Sequence, residues 1–99
     1  MKQYFAIHVI PPRPDFPQTM TEEEKAIMGQ HAAYWLEKMN KGEVYAFGPV
    51  MDPAGAYGLG ILSVADENEL MTFIQNDPAA KINQIKFFPM FAIVPDRTS

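Results

Sequence analysis

Ile85-Lys86-Phe87-Phe88-Pro89-Met90-Phe91-Ala92-Ile93-Val94 is the stretch whose reading decides the fold. A strand with one wet face alternates apolar and polar residues. Here the apolar residues run almost unbroken from Phe87 to Val94, so both faces of the predicted strand are greasy. Pro89 cannot donate to a ladder, which places this strand, Ile85 to Val94, at a sheet edge or a bulge. The same two-faced pattern recurs in Phe5-Ala6-Ile7-His8-Val9-Ile10, in Val44-Tyr45-Ala46-Phe47 and in Gly60-Ile61-Leu62.

Outward from these stretches the remaining elements fall into place. Tyr4 to Ile10 reads as the first strand, stopped by Pro11-Pro12. Pro11 to Thr19 carries four prolines; it excludes helix and central strand and reads as a loop lying over something. Thr21-Glu22-Glu23-Glu24 is a capping box, and three glutamates suit the start of a helix. Met28, Ala32, Trp35, Leu36 and Met39 mark the apolar face of that helix. Lys38 and Lys41 favour its end, with Gly42 as the stop. Glu43 to Phe47 is the second strand, ended by Gly48-Pro49; Gly58 to Val64 is the third, weakened by Gly60. Asp66 caps a second helix from about Glu67 to Gln75, and Asp77-Pro78 ends it. Ala79 to Gln84 is a connection and Asp96 to Ser99 a tail. The order β-α-β-β-α-β predicts a ferredoxin-like α+β fold: a four-stranded antiparallel sheet with two helices on one face, as one domain over residues 1–99.

Composition bounds what such a domain can do. The chain has 99 residues, a net charge of −4 and no cysteine. A core this small is thin, and neither a disulfide nor a thiolate metal site is on hand to reinforce it. The acidic balance argues against nucleic acid, and no polybasic segment addresses a membrane. No apolar run approaches the ~20 residues of a membrane span, and no secretory signal is legible, so the cytoplasm is the default location. Two helices cover one sheet face only. Leaving several hundred Å² of the second wet forfeits about 10 kcal/mol, comparable with the whole stability of a small domain. The economical remedy is a second copy packed sheet to sheet. The alternative is a monomer whose proline-rich loop and tail cover that face.

Few residues here can carry chemistry. His31 sits on the flank of the first helix's apolar stripe, where a semi-buried imidazole beside a carboxylate suits acid/base work. The plain alternative is a helix histidine satisfied by backbone or water. His8 is mid-strand and reads as a sheet residue. Asp77 ends a helix, which alone accounts for it; its functional role would be to accept from a histidine nitrogen. The Gly48-Pro49 turn permits close approach of backbone to a ligand. Glu22, Glu23 and Glu24 read as a solvated helix start. No phosphate loop, paired histidines at metal spacing or serine elbow is present, so no cofactor and no metal are expected.

His31, the run Lys41-Gly42-Glu43-Val44, Phe47-Gly48-Pro49, Gly58 and Asp77-Pro78 together resemble the YCII-related (YciI-like) proteins over roughly Tyr4 to Val94. The resemblance implies a dimeric α/β-barrel and a His–Asp acid/base pair, which maps onto His31 and Asp77, with Gly48 and Pro49 near a pocket mouth. Within that group one branch is similar to chlorohydroquinone dehydrochlorinases, and related barrels include muconolactone isomerases. The proline-rich Pro11 to Thr19 segment departs from shorter members and leaves the substrate open. The expectation is a small cofactor-free lyase or isomerase in which His31 moves a proton, Asp77 orients it, and Trp35, Tyr57 and the Phe87 to Phe91 strand wall the pocket. The rival expectation is a non-catalytic dimer that binds a small ligand or a partner.

Overall fold

Period-two burial organises the first strand, β1 (Gln3–Ile10): Phe5, Ile7 and Val9 are buried, whereas Tyr4, Ala6, His8 and Ile10 point the other way. The computed structural model describes residues 2–95, so the expected Asp96 to Ser99 tail lies outside the described residues. After β1 come α1 (Phe16–Thr19), α2 (Glu22–Asn40), β2 (Val44–Val50), β3 (Tyr57–Val64), α3 (Glu67–Gln75), a 3-10 turn (Pro78–Lys81) and β4 (Gln84–Met90). The strands form one antiparallel sheet in the order β2-β3-β1-β4. Each long helix therefore joins two strands that are separated by one other, the split arrangement of a ferredoxin-like fold.

Both long helices begin at the local signals expected of them. The Thr21 hydroxyl accepts from the Glu24 amide at 3.1 Å, and the Glu24 carboxylate accepts in turn from the Thr21 amide at 2.9 Å. Asp66 accepts from the Glu69 amide at 2.9 Å. These bonds satisfy amides that no helical carbonyl can reach. Gly42, at φ 83°, adopts the left-handed turn that lets the chain leave α2.

Four sequence expectations need correction. Pro11 to Thr19 is not wholly loop: Phe16–Thr19 makes one helical turn, with Pro17 in its first positions, where a missing N–H costs nothing. Gly48 and Pro49 do not end β2 but lie inside it, paired with Leu59 and Gly58. An edge strand tolerates proline because its outer side needs no ladder bond. β4 stops at Met90, which pairs with Tyr4; β1 has almost no strand left beyond that point, so Phe91 to Pro95 pair with nothing regular. The sequence stripe on α2 also overreached at Leu36, which is 51% exposed.

The core lies between the helices and one sheet face, with Trp35, Leu70 and Phe73 against Phe5, Ile7, Val9, Val44, Leu62 and Val64. Gly60 is the reason Trp35 fits. It opposes Ile7 and Phe47 in the sheet, and a Cβ there would collide with the indole ring. Trp35 packs edge-on to Phe73, with ring centroids 5.0 Å apart, and tilted to Phe47 at 5.5 Å. What reads in sequence as a weak point in β3 is thus the seat of the largest buried side chain.

Alanine at an ordinary strand glycine stabilises, since glycine gives up the most chain entropy on folding. Gly60→Ala is expected to do the opposite, lowering stability by about 1–3 kcal/mol through overpacking against Trp35. Urea denaturation of the variant against the parent protein measures it; an unchanged or raised midpoint would contradict the packing argument.

Candidate active site

Asp77 ends the α3 region because Pro78 follows it, and its carboxylate then caps the 3-10 turn by accepting from the Ala79 amide at 2.9 Å. The residue is 3% exposed. A buried carboxylate must be met by donors, and α2 supplies two from one face. Trp35 Nε1 donates to Oδ2 at 2.6 Å. His31 Nδ1 lies 2.9 Å from Oδ1 and 3.1 Å from Oδ2. Positions 31 and 35 are four apart, so both side chains project from the same side of the helix.

This geometry dictates the tautomer. A carboxylate can only accept, so Nδ1 carries the hydrogen and neutral His31 keeps its lone pair on Nε2. The His31 ring also lines a cavity of about 320 Å³. The cavity sits between the middle of α2, the Pro11 to Met20 segment and the adjoining ends of β1, β2 and β3. Its walls are largely apolar: Val9, Phe16, Met28, Trp35, Phe47 and Leu59 contribute, and among the described lining residues no side chain is a lysine, arginine, aspartate or glutamate. The arrangement can take a proton from, and return it to, a small apolar molecule in a site whose only imidazole is held in one orientation.

Negative charge around Asp77 is felt next door. Tyr34 donates to the Phe73 carbonyl at 2.8 Å, and its hydroxyl is pushed up to about 12, first by burial and then by the charges of Asp77, Glu43 and Glu37.

The Pro11 to Met20 segment roofs the cavity and is pinned by Arg13. Its guanidinium makes two bonds to the Glu24 carboxylate, at 3.1 and 2.7 Å, and two to Thr19, at 2.8 Å to the hydroxyl and 2.7 Å to the carbonyl. It also lies over the Phe16 ring, 5.1 Å from its centroid. Glu24 is therefore not a solvated glutamate. The Arg13 hydrogen bonds, followed by the Thr21 amide, hold its carboxyl down at about 2.

The structure brings His31, Asp77 and Trp35 into direct contact, and Gly48, Pro49 and Tyr57 line the same cavity. Tyr57 also stacks on His8, with centroids 5.5 Å apart. The Phe87 to Phe91 strand is not a wall of this cavity: Phe87 packs on Phe5 in the core, and Phe88 and Met90 project from the far face. Reading the sequence alone missed Phe16, Met20, Met28 and Asn83 as lining residues, and missed Arg13 entirely. The proline density of 11–19 was the signal for the roof. Nothing in the chain order connects Asn83 to Met28.

Comparison with known proteins adds one finding. The family model of the YCII-related domain matches residues 5–91. No curated protein matches the chain. Among the described residues no helix is long and apolar enough to cross a membrane, and no group of three or more histidine, cysteine or acidic side chains is placed to hold a metal ion.

Two outcomes follow. In ring nitrogen NMR spectra of the neutral protein, His31 is expected to carry its hydrogen on Nδ1; a neutral His31 protonated on Nε2 would contradict the assignment. Glu24, held at about 2 against an ordinary 4.5, contributes stability that is complete above pH 4.5 and lost as pH falls from there towards 2. Glu24→Gln, which keeps an acceptor for the Thr21 amide, is expected to flatten the fall in melting temperature across that window.

Proposed function

The chain belongs to the YCII-related family, and on that premise we propose that it is a small cofactor-free enzyme of lyase or isomerase type, acting on a small cyclic or unsaturated organic substrate. The observation that carries this reading is the His31–Asp77 contact of 2.9 Å beside an apolar cavity that His31 itself lines. His31 Nε2 would remove a proton from the bound substrate. Asp77 would hold the imidazole in register and stabilise the cation formed, and Trp35 would hold Asp77. Nε2 would then return the proton to another atom of the substrate, or to water when a leaving group departs. Positioned proton transfer of this kind is worth about 10²–10⁴-fold. Gly48, Pro49 and Tyr57 would shape the mouth of the site.

The reading includes a homodimer closed through the sheet and working in the cytoplasm. Its support is the face turned away from the helices. Tyr4, Ala6, His8 and Ile61 share that face with Phe88 and Met90 by register. Phe88 and Met90 on this face, and Phe91 and Ile93 just beyond β4, are exposed large apolar side chains, the kind of surface that a partner covers. The proline-rich segment is occupied on the cavity and is not spread over this face. Sedimentation at micromolar concentration is expected to give a dimer, and Phe88→Lys a folded monomer. A parent protein that sediments as a monomer would remove the dimer.

Catalysis is tested by following deuterium uptake from D2O into a panel of unsaturated cyclic ketones and phenols by NMR. His31→Gln is expected to lose about 10²–10⁴-fold of the exchange, with an unchanged circular dichroism spectrum. Asp77→Asn is expected to lose a smaller factor, since the imidazole remains but is no longer fixed. Undiminished exchange in a folded His31→Gln protein would rule out the role.

A further inference from the structure

Asn83 is the polar residue of the cavity that the proposed proton transfer does not use. Its Nδ2 donates to the Ala79 carbonyl at 3.0 Å and to the Met28 thioether at 3.4 Å. Because a carbonyl only accepts, the amide cannot be turned over, and Oδ1 must be the atom facing the other way. That oxygen is buried and meets no donor among the described residues. A buried acceptor with no partner is uncommon in a folded protein, because it gives up its hydration for nothing. The rest of Asn83 is well anchored: its own amide donates to the Ala79 carbonyl at 2.9 Å.

The position of this acceptor is as informative as its lack of a donor. The 3-10 turn Pro78–Lys81 carries Asp77 at one end and Asn83 just past the other. Asp77 meets α2 at His31, and Asn83 meets it at Met28. Three residues along a helix is a rise of about 4.5 Å, on one face. Asn83, Met28 and His31 are therefore neighbours on one wall of the cavity. Met28 contacts the amide nitrogen and the oxygen itself has no accessible surface, so an entering group reaches Oδ1 by displacing a neighbouring side chain, as a flexible thioether allows.

We infer that Asn83 Oδ1 is the second polar anchor of the cavity and accepts a hydrogen bond from an O–H or N–H group on an otherwise apolar, uncharged ring. This rests on the reading of the cavity as a substrate site and sharpens it. A carboxylate ligand would find an unpaired oxygen in Asn83 and no lysine or arginine among the described lining residues. A hydroxyl or N–H supplies the missing donor. A site with a buried acceptor of this kind rejects an analogue lacking the donor much more strongly than an apolar wall rejects a missing methylene.

The test uses phenol and anisole as probes, read by the fluorescence of Trp35, the only tryptophan in the chain and part of the cavity wall. Anisole is the more apolar, so the hydrophobic effect alone would favour it. The expected result is at least tenfold tighter binding of phenol, with benzoate weaker than phenol. Asn83→Leu, or Asn83→Ala should the first not fold, is expected to abolish the preference for phenol. His31→Phe is expected to keep it, which separates Asn83 from the imidazole as the acceptor. Equal binding of phenol and anisole by the parent protein, or a preference that survives in the Asn83 variants, overturns the assignment while leaving the cavity a binding site. A Trp35 signal that responds to neither probe overturns the substrate-site reading and this inference with it.

Discussion

A carboxylate taken out of water costs several kcal/mol unless hydrogen bonds replace its hydration. Asp77 is buried, and donors from a backbone amide, an indole and an imidazole converge on it. That requirement ties the long helix α2 to the turn after α3 at one point. It fixes where His31 and Trp35 can lie, and it selects the tautomer of the imidazole. Remove the carboxylate and the histidine has no reason to hold a single orientation. Remove the indole and the carboxylate loses its shortest bond.

The second constraint lies beneath the first. Trp35 reaches Asp77 with its nitrogen while its six-membered ring sits tight against β3, and it sits there because Gly60 has no side chain to hold it off. One glycine in β3 therefore bears on the geometry of a carboxylate two elements away. On the other side of the cavity, the Arg13 clamp holds the proline-rich segment in place, with Phe16 as its buried anchor. The site is thus assembled from a helix, a turn, a strap and the sheet edge, each held by a different kind of interaction.

The sheet is asymmetric in what covers it. One face is sealed by Trp35, Leu70 and Phe73; the other presents aromatic and aliphatic side chains in register across β3, β1 and β4. His8 sits in the middle of this second face, stacked on Tyr57 and edge-on to Phe88, with Lys86 as its register partner. Isolated surface apolar residues need no explanation, but a sheet face with this many aromatic and aliphatic side chains does.

Much of this was legible in the chain itself. Both helix starts follow from bonds between residues three apart, Thr21 with Glu24 and Asp66 with Glu69, and such bonds need no tertiary context. The strands follow from β-branched and aromatic runs, and the element order from their sequence. His31 stood out because an imidazole on the edge of an apolar stripe is half-buried wherever the helix packs. Strand ends were read less well. Gly48-Pro49 looks like a stop, yet on an edge strand it is not, and edge position is a property of the sheet rather than of the dipeptide.

What the order of residues determined, then, is the four strands and two long helices, the core-facing side of each, and the ionisable group at the centre. What only folding decided is which distant groups meet: Trp35 with Asp77, Arg13 with Glu24, Asn83 with Met28. Periodicity governs the direction a side chain takes from its own helix or strand. The partner it finds there depends on how separate elements are stacked, and that is settled by packing a whole core at once, Trp35 over Gly60 first among its contacts.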